Sequence, residues 1–254
     1  MSGDIREYLV WARLLSHQRR VEKSREILRR AAAKGRLVVS SSWGKDSIAL
    51  SHLAIDTLGP VDILHMESPC ELPGNEETIA YFQERARVHI LPSSRTLEEV
   101  LAWCHEVGLP HERTSAVQGM VVKSTKKDRA GGWCKEHGFE VQALGMQAWE
   151  NPWTRGMLYK KRGTLYQARG MWFAGPLAWW TAKDTWAYVL SRGLPYNKRI
   201  YDAETHGQSR ERIRNTGWLS TDGVERGRLS WLRRHFSAEW EKLIAEFPYL
   251  QNLA

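Results

Sequence analysis

Apolar residues recur at helical spacing from Asp4 to about Lys34, through EYLVWARLL and then VEKSREILRRAAAKG, and the run closes on Gly35; the pattern predicts one or two amphipathic helices. A short β-branched run, RLVVSS, follows and reads as a strand, and SIALSHLAIDTLG is apolar at helical spacing again. VDILHM (Val61 to Met66) predicts a second buried strand, EETIAYFQERAR a helix, VHIL (Val88 to Leu91) a third strand and TLEEVLAWCHEVG another helix. FEVQALGM (Phe139 to Met146) predicts a fourth strand. After Trp149 the period dissolves into Gly, Trp and basic residues, leaving TAKDTWAYVLSRG (Thr181 to Gly193) as the one clear helix before a terminal helix around Ser237 to Phe247. Strands alternating with helices predict an α/β fold, a parallel twisted sheet with helices on both faces, whose ligands bind at the carboxyl ends of the strands.

One such end carries SSSWGKDS, Ser40 to Ser47. A strand-to-helix junction offers unpaired backbone N–H groups and the positive end of a helix dipole, which suit an anion. Ser40, Ser42 and Ser47 add hydroxyls, Gly44 permits close backbone approach, and Lys45 adds a point charge unless it faces solvent. Asp46 beside a bound phosphate needs an intervening cation or a helix-capping role, so it points either to a Mg²⁺-bound nucleotide or to a cap. The stretch lacks the glycine spacing of a Walker A loop.

Composition narrows the partners. With 37 Lys+Arg against 29 Asp+Glu, the 254-residue chain carries a formal charge of +8 and favours anionic ligands. Nine Lys/Arg between Trp11 and Arg36 face two acids, a pattern expected mainly of a solvated helix face. Seven arginines lie between Arg210 and Arg234, and Arg210, Arg212 and Arg214 alternate, so an extended segment would put them on one face for phosphates or a nucleic-acid backbone. The thirteen tryptophans crowd from Trp133 to Trp186, which suits core packing, with base stacking as the other reading. Three cysteines without C-x-x-C spacing argue against a disulfide framework or a Cys-rich metal site. Charge within the first apolar stretch and the lack of any long apolar window predict a cytoplasmic protein with no membrane partner.

The turn resembles the pyrophosphatase loop, commonly S-G-G-x-D-S, of the ATP pyrophosphatase and phosphoadenosine phosphosulfate (PAPS) reductase superfamily, matched by Ser42, Gly44, Asp46 and Ser47, with Trp43 in place of the first glycine. VDILHMES sits where that family has its second strand and adenosine contact, making Met66 and Glu67 candidates. GGWCKEHG resembles its Trp-Cys segment. GMQAWENPWTR resembles its G-x-R-x-x-E-S-x-x-R element through Gly145, Glu150 and Arg155, with Gln147 and Asn151 as replacements. PLAWWTAKDTWAYVLSRGLPYN resembles its P-x-x-x-W-T-x-x-D-V-W-x-Y-I…L-P-Y-N segment, through Trp180, Asp184, Trp186 and Asn197 among others.

This resemblance implies an adenine-nucleotide α-hydrolase-like fold over residues 36–202, flanked by an N-terminal helical extension (1–35) and a basic C-terminal extension (203–254) packing on the same domain. It also implies an adenine nucleotide as ligand. The reductases of the superfamily attack sulfur with a C-terminal cysteine, whereas no cysteine follows Cys134 here. The resemblance therefore implies the ATP-using branch, an adenylating transferase that cleaves the α–β bond of Mg-ATP. Asp46 would meet the Mg²⁺, Lys45 and Arg155 would neutralise charge, and sulfate, a small molecule or a nucleic-acid base would accept. Arg155 has a second reading as the ion-pair partner of Glu150, which itself would orient either that arginine or the metal. Two alternatives stand beside this function: a sulfonucleotide reductase using Cys134, and a nucleotide- or nucleic-acid-binding module that lost catalysis, with Trp43 closing the phosphate cradle. The basic C-terminal region is the expected contact for a nucleic acid or a partner protein.

Overall fold

The apolar run after Gly35 forms β1 (Leu37–Ser41) at the centre of a sheet, parallel to β2 (Asp62–Met66) on one side and β4 (Val141–Leu144) on the other. The computed structural model describes residues 5–109, 112, 128–202, 209–215, 217–219 and 228–253. Val39 pairs with Ile63 and with Ala143, and all three are fully buried. Such near-continuous burial is what a parallel strand covered on both faces requires.

Six strands among the described residues run in the order β3-β2-β1-β4-β6-β5. β3 (Arg87–Leu91) and β6 (Met171–Ala174) extend the parallel sheet, and β5 (Leu165–Ala168) adds an antiparallel edge. The chain winds one way from β1 to β3 and then reverses to β4, so the switch point lies between β1 and β4. The β5–β6 hairpin was not legible as strands. Its two-residue turn is Arg169-Gly170, both at positive φ (53° and 75°), the backbone that a tight hairpin needs but with a weaker sequence signature than Asn-Gly.

Helices cover the sheet. α1 (Ile5–Arg13) and α2 (Leu15–Ala32) precede β1, and α3 (Lys45–Leu58) follows it, burying Ile48, Leu50 and Leu53. α4 (Glu76–Gln83), α5 (Leu97–Val107) and α6 (Asp128–Glu136) connect the next strands. After β4 come a 3-10 turn (Ala148–Glu150), a π turn (Pro152–Gly156) and α7 (Met157–Arg162). Among the described residues α8 (Ala182–Ser191), α9 (Lys198–Tyr201), α10 (Arg228–His235) and α11 (Ser237–Glu246) follow, with a 3-10 turn (Pro248–Leu253) after them.

Tyr8 and Leu28 from the N-terminal helices, and Leu232, Phe236 and Leu243 from the C-terminal ones, belong to the same hydrophobic cluster as Val39 and Leu53. Both flanking segments are thus built into one core. Trp180, Trp186 and Tyr188 are buried in it, which accounts for their helical spacing. Among the basic residues of α2, Arg25 pairs with Glu22 and Asp56, and Arg29 with Glu22. No helix among the described residues is long and apolar enough to cross a membrane.

Candidate functional site

The floor of the site is the β1–α3 turn. Within it, Ser47 Oγ donates to Gly44 O (3.0 Å) and accepts from Ser42 N (3.2 Å), drawing the loop into a ring at the helix start. Helices leave their first N–H groups without intrahelical acceptors. Here Lys45 N donates to Tyr201 Oη (3.2 Å), while the Gly44, Asp46 and Ser47 N–H groups have no acceptor among the described residues. Asn215 Nδ2 donates to Ser42 O (3.1 Å), and Asn215 N to Tyr201 Oη (3.0 Å), so a distant segment braces the loop. Gly145 eases a close approach, since a Cβ there would lie 3.2 Å from the Asp46 carbonyl.

Trp43 adopts φ 53°, the left-handed region in which glycine is at home. Its side chain turns away from the cleft into the core, fully buried, with its ring 5.7 Å from Phe82 and 5.3 Å from His65. The cradle is therefore open, contrary to the expectation that Trp43 would close part of it. Trp43→Gly would relieve roughly 1–2 kcal/mol of backbone strain but forfeit roughly 3–5 kcal/mol of aromatic packing. A net loss of about 2 kcal/mol is expected in chemical denaturation, with nucleotide affinity, measured on the folded fraction, retained.

Lys45 and Asp46 form a pair under the loop. Lys45 is 2% exposed and its Nζ donates to Asp46 Oδ2 at 2.7 Å, so it does not face solvent. Burial alone would lower its pKa, but Asp46, the Tyr201 hydroxyl and Glu150 outweigh that and raise it, so the ammonium stays charged. Asp46 Oδ1 accepts from Gln147 Nε2 (3.0 Å) and Thr185 Oγ1 (3.0 Å). The carboxylate expected to meet Mg²⁺ thus already holds three donors, one of them a cation, and the residues present do not fit a metal ligated directly by Asp46. No cluster of three or more acidic, His or Cys side chains suited to a metal occurs among the described residues.

A cleft of about 1390 Å³ opens above this floor at the switch point. Of the residues singled out from the sequence, Ser40, Ser42, Gly44, Asp46, Ser47 and Met66 line it, as do Glu67, Gly145, Glu150 and Arg155; Lys45 does not. Glu150 accepts from the Arg155 guanidinium, lies 3.5 Å from Arg214 and accepts from Gln147 N at 3.1 Å. It thus orients two arginines at the cleft wall. Seven cationic side chains and four acids among the described residues line the cleft, giving it the charge an anion needs.

Several participants escaped the sequence reading. Thr185, Tyr201 and Asn215 reach the loop from remote segments and carry no local signature, and Gln147, noted only as a replacement within the G-x-R-x-x-E-S-x-x-R element, joins them. The segment of alternating arginines is not extended, since Arg212 N donates to Ser209 O in a turn. Arg210 is buried, donating to Tyr196 Oη (2.9 Å) with its guanidinium 5.1 Å from the Trp186 ring, and only Arg214 faces the cleft. Asp222, Glu225 and Arg226 of the basic region lie outside the described residues.

Cysteine chemistry finds little support. Cys134 is fully buried, and burial pushes its thiol up to about 11; Cys70 is pushed up to about 12, first by burial. Cys104 is buried too. His65 is packed between Ser41 O (3.1 Å from Nδ1) and Glu71 (3.4 Å from Nε2). Burial would lower its pKa, but the Glu71 hydrogen bond and charge raise it, so it serves as a brace behind the loop. His105 stacks on Phe247 at 4.4 Å on the surface.

Residues 36–206 match the family described as the phosphoadenosine phosphosulfate reductase domain. No curated protein sequence matches the chain. Two solved structures are similar in fold. The crystal structure of phosphoadenylyl-sulfate (PAPS) reductase from Candida auris, a phosphate complex, gives a TM-score of 0.50 at 17% identity over 69% of this chain and 82% of that one. The U34-tRNA thiolase NcsA from Methanococcus maripaludis, with its 4Fe-4S cluster, gives 0.51 at 10% identity over 94% of this chain and 81% of that one.

Proposed function

Because the chain belongs to the family of phosphoadenosine phosphosulfate reductase domains, we propose that it binds ATP in the β1–α3 cleft and cleaves the α–β bond, releasing pyrophosphate and adenylating an acceptor. The observation that carries this reading is the convergence of the open, N–H-lined loop and the Glu150–Arg155 pair on one cleft, whose two lining cysteines, Cys70 and Cys104, are buried. Sulfonucleotide reduction needs a thiolate near the sulfur, and the buried thiols of Cys70 and Cys134 are held protonated at neutral pH.

In the reaction, an oxygen or nitrogen of the acceptor forms a bond to the α-phosphorus. The bond from that phosphorus to the bridging oxygen breaks, pyrophosphate leaves with the electron pair, and the acceptor's proton passes to water. The chain's contribution is positioning and fixed charge. Loop N–H groups, that of Ser47 included, and the Ser42 hydroxyl hold the leaving phosphates, and Met66 and Glu67 lie at the β2 end for the nucleoside. The Lys45–Asp46 ion pair, with Asp46 on the cleft side and Lys45 beneath it, fixes the first turn of α3 under the loop. Mg²⁺ would arrive on the triphosphate oxygens, not on a protein site.

Calorimetric titration with ATP, with and without Mg²⁺, against adenosine phosphosulfate and PAPS tests the assignment. Preference for ATP supports it, and preference for the sulfonucleotides overturns it. Arg155→Ala is expected to weaken ATP binding by roughly 1.5–3 kcal/mol, about ten- to a hundredfold, if the guanidinium turns from Glu150 to phosphate.

A further inference from the structure

The segment between β4 and β5 has two faces. Glu150, Thr154, Arg155, Leu158 and Arg162 line the cleft, while Trp149, Trp153, Met157, Lys160 and Lys161 point elsewhere and are exposed. Trp153 is 88% exposed and Trp149 45%. Trp179, 46% exposed, lies on a segment hydrogen-bonded to this one, Ala148 N donating to Ala178 O at 2.8 Å. Two of these rings are held in place, Trp149 by its Nε1 bond to Gln147 Oε1 (2.6 Å) and Trp179 edge-on to Tyr159 at 6.3 Å.

Large exposed aromatic faces beside lysines are costly unless something covers them. Protein-binding patches are depleted in lysine, whereas interleaved rings and cations match the bases and phosphates of a nucleic-acid strand. Between Ala148 and Arg162 the one acid, Glu150, is turned inward against Arg155. The cleft behind this rim is larger than the roughly 300–1000 Å³ that suits a small ligand, and Arg95, Arg129 and Lys135 line it beyond the loop.

We propose that the rim formed by Trp149, Trp153, Trp179, Lys160 and Lys161 binds a single-stranded nucleic acid and feeds it to the basic half of the cleft as the acceptor. A single strand fits because a duplex keeps its base faces stacked inside. The assignment of the strand as acceptor rests on the adenylation reading above; the binding surface does not.

Fluorescence anisotropy with short labelled single-stranded RNA and DNA, and a duplex competitor of equal length, tests it, with ATP calorimetry on the same samples. Wild type is expected to prefer a single strand. Trp153→Ala, too exposed to disturb the fold, is expected to lose roughly tenfold in strand affinity with ATP affinity unchanged. The double variant Lys160→Ala/Lys161→Ala should flatten the log–log salt dependence between about 50 and 200 mM by about 1.4. Failure of wild type to bind either strand while ATP binds overturns this inference alone, as does an undiminished affinity in Trp153→Ala or preference for the duplex. Strand binding without ATP binding overturns the adenylation reading and leaves the surface standing.

Discussion

Replacing Asp184 with alanine is expected to lower the stability of the fold by roughly 3–5 kcal/mol, the cost of breaking a buried charged network from one side. Asp184 is fully buried at the start of α8. Its Oδ1 accepts from Trp11 Nε1 (2.9 Å) and Arg20 Nη2 (2.8 Å) and lies 3.0 Å from His17 Nδ1. Oδ2 accepts from the backbone N–H (2.9 Å) and hydroxyl (2.8 Å) of Thr181 in a capping box. One carboxylate therefore caps α8 and ties both N-terminal helices to it.

Burial alone would raise this carboxyl's pKa, but the donors from His17, Thr181, Trp11 and Arg20 outweigh burial and hold it well below the usual carboxylate range. A depressed folded-state pKa gives stability that is present above the unfolded value of 3.8 and is lost as pH falls below it. Urea unfolding across the acid limb should show this loss in wild type and much less of it in Asp184→Asn. That variant keeps the cap acceptor but not the charge, so it should fall between wild type and alanine in stability. Equal stability of wild type and Asp184→Ala would refute the network's role.

Asp46→Ala is expected to cost about 3 kcal/mol and to abolish ATP turnover. It removes the ion-pair partner of a lysine that is 2% exposed and also strands Gln147 and Thr185. The neutral double variant Lys45→Met/Asp46→Asn separates the two effects. It should recover most of the stability by removing both charges, yet stay inactive because the ion pair that fixes the first turn of α3 under the loop is gone. Turnover at the wild-type rate in the double variant would show that the pair is structural only.

Much of this protein was readable along the chain. The alternation of β-branched runs with helical periodicity predicted β1 to β4 and the helices α3, α4 and α5, though not α6, because buried parallel strands and their covering helices impose local patterns. The loop at Ser40 to Ser47 was legible for the same reason: a turn that cradles an anion restricts residue type position by position. Even the anomaly at Trp43 was visible, although its meaning was not.

Local pattern therefore carried the strands β1 to β4, their parallel arrangement and the residues of the loop after β1, while β5, β6 and the strand order with its switch point lay outside it. Only the tertiary structure decided how the residues around that loop are used. It turned Trp43 into the core, sank Lys45 beneath the loop, buried Arg210 against Trp186 and Tyr196, and set Glu150 between Arg155 and Arg214. It also brought Gln147, Thr185, Tyr201 and Asn215 to the loop from segments far apart in the chain. Hydrogen bonds and ion pairs between remote segments leave no period in a sequence, since each depends on where the folded backbone delivers one donor and one acceptor, and that placement exists only once the core has formed.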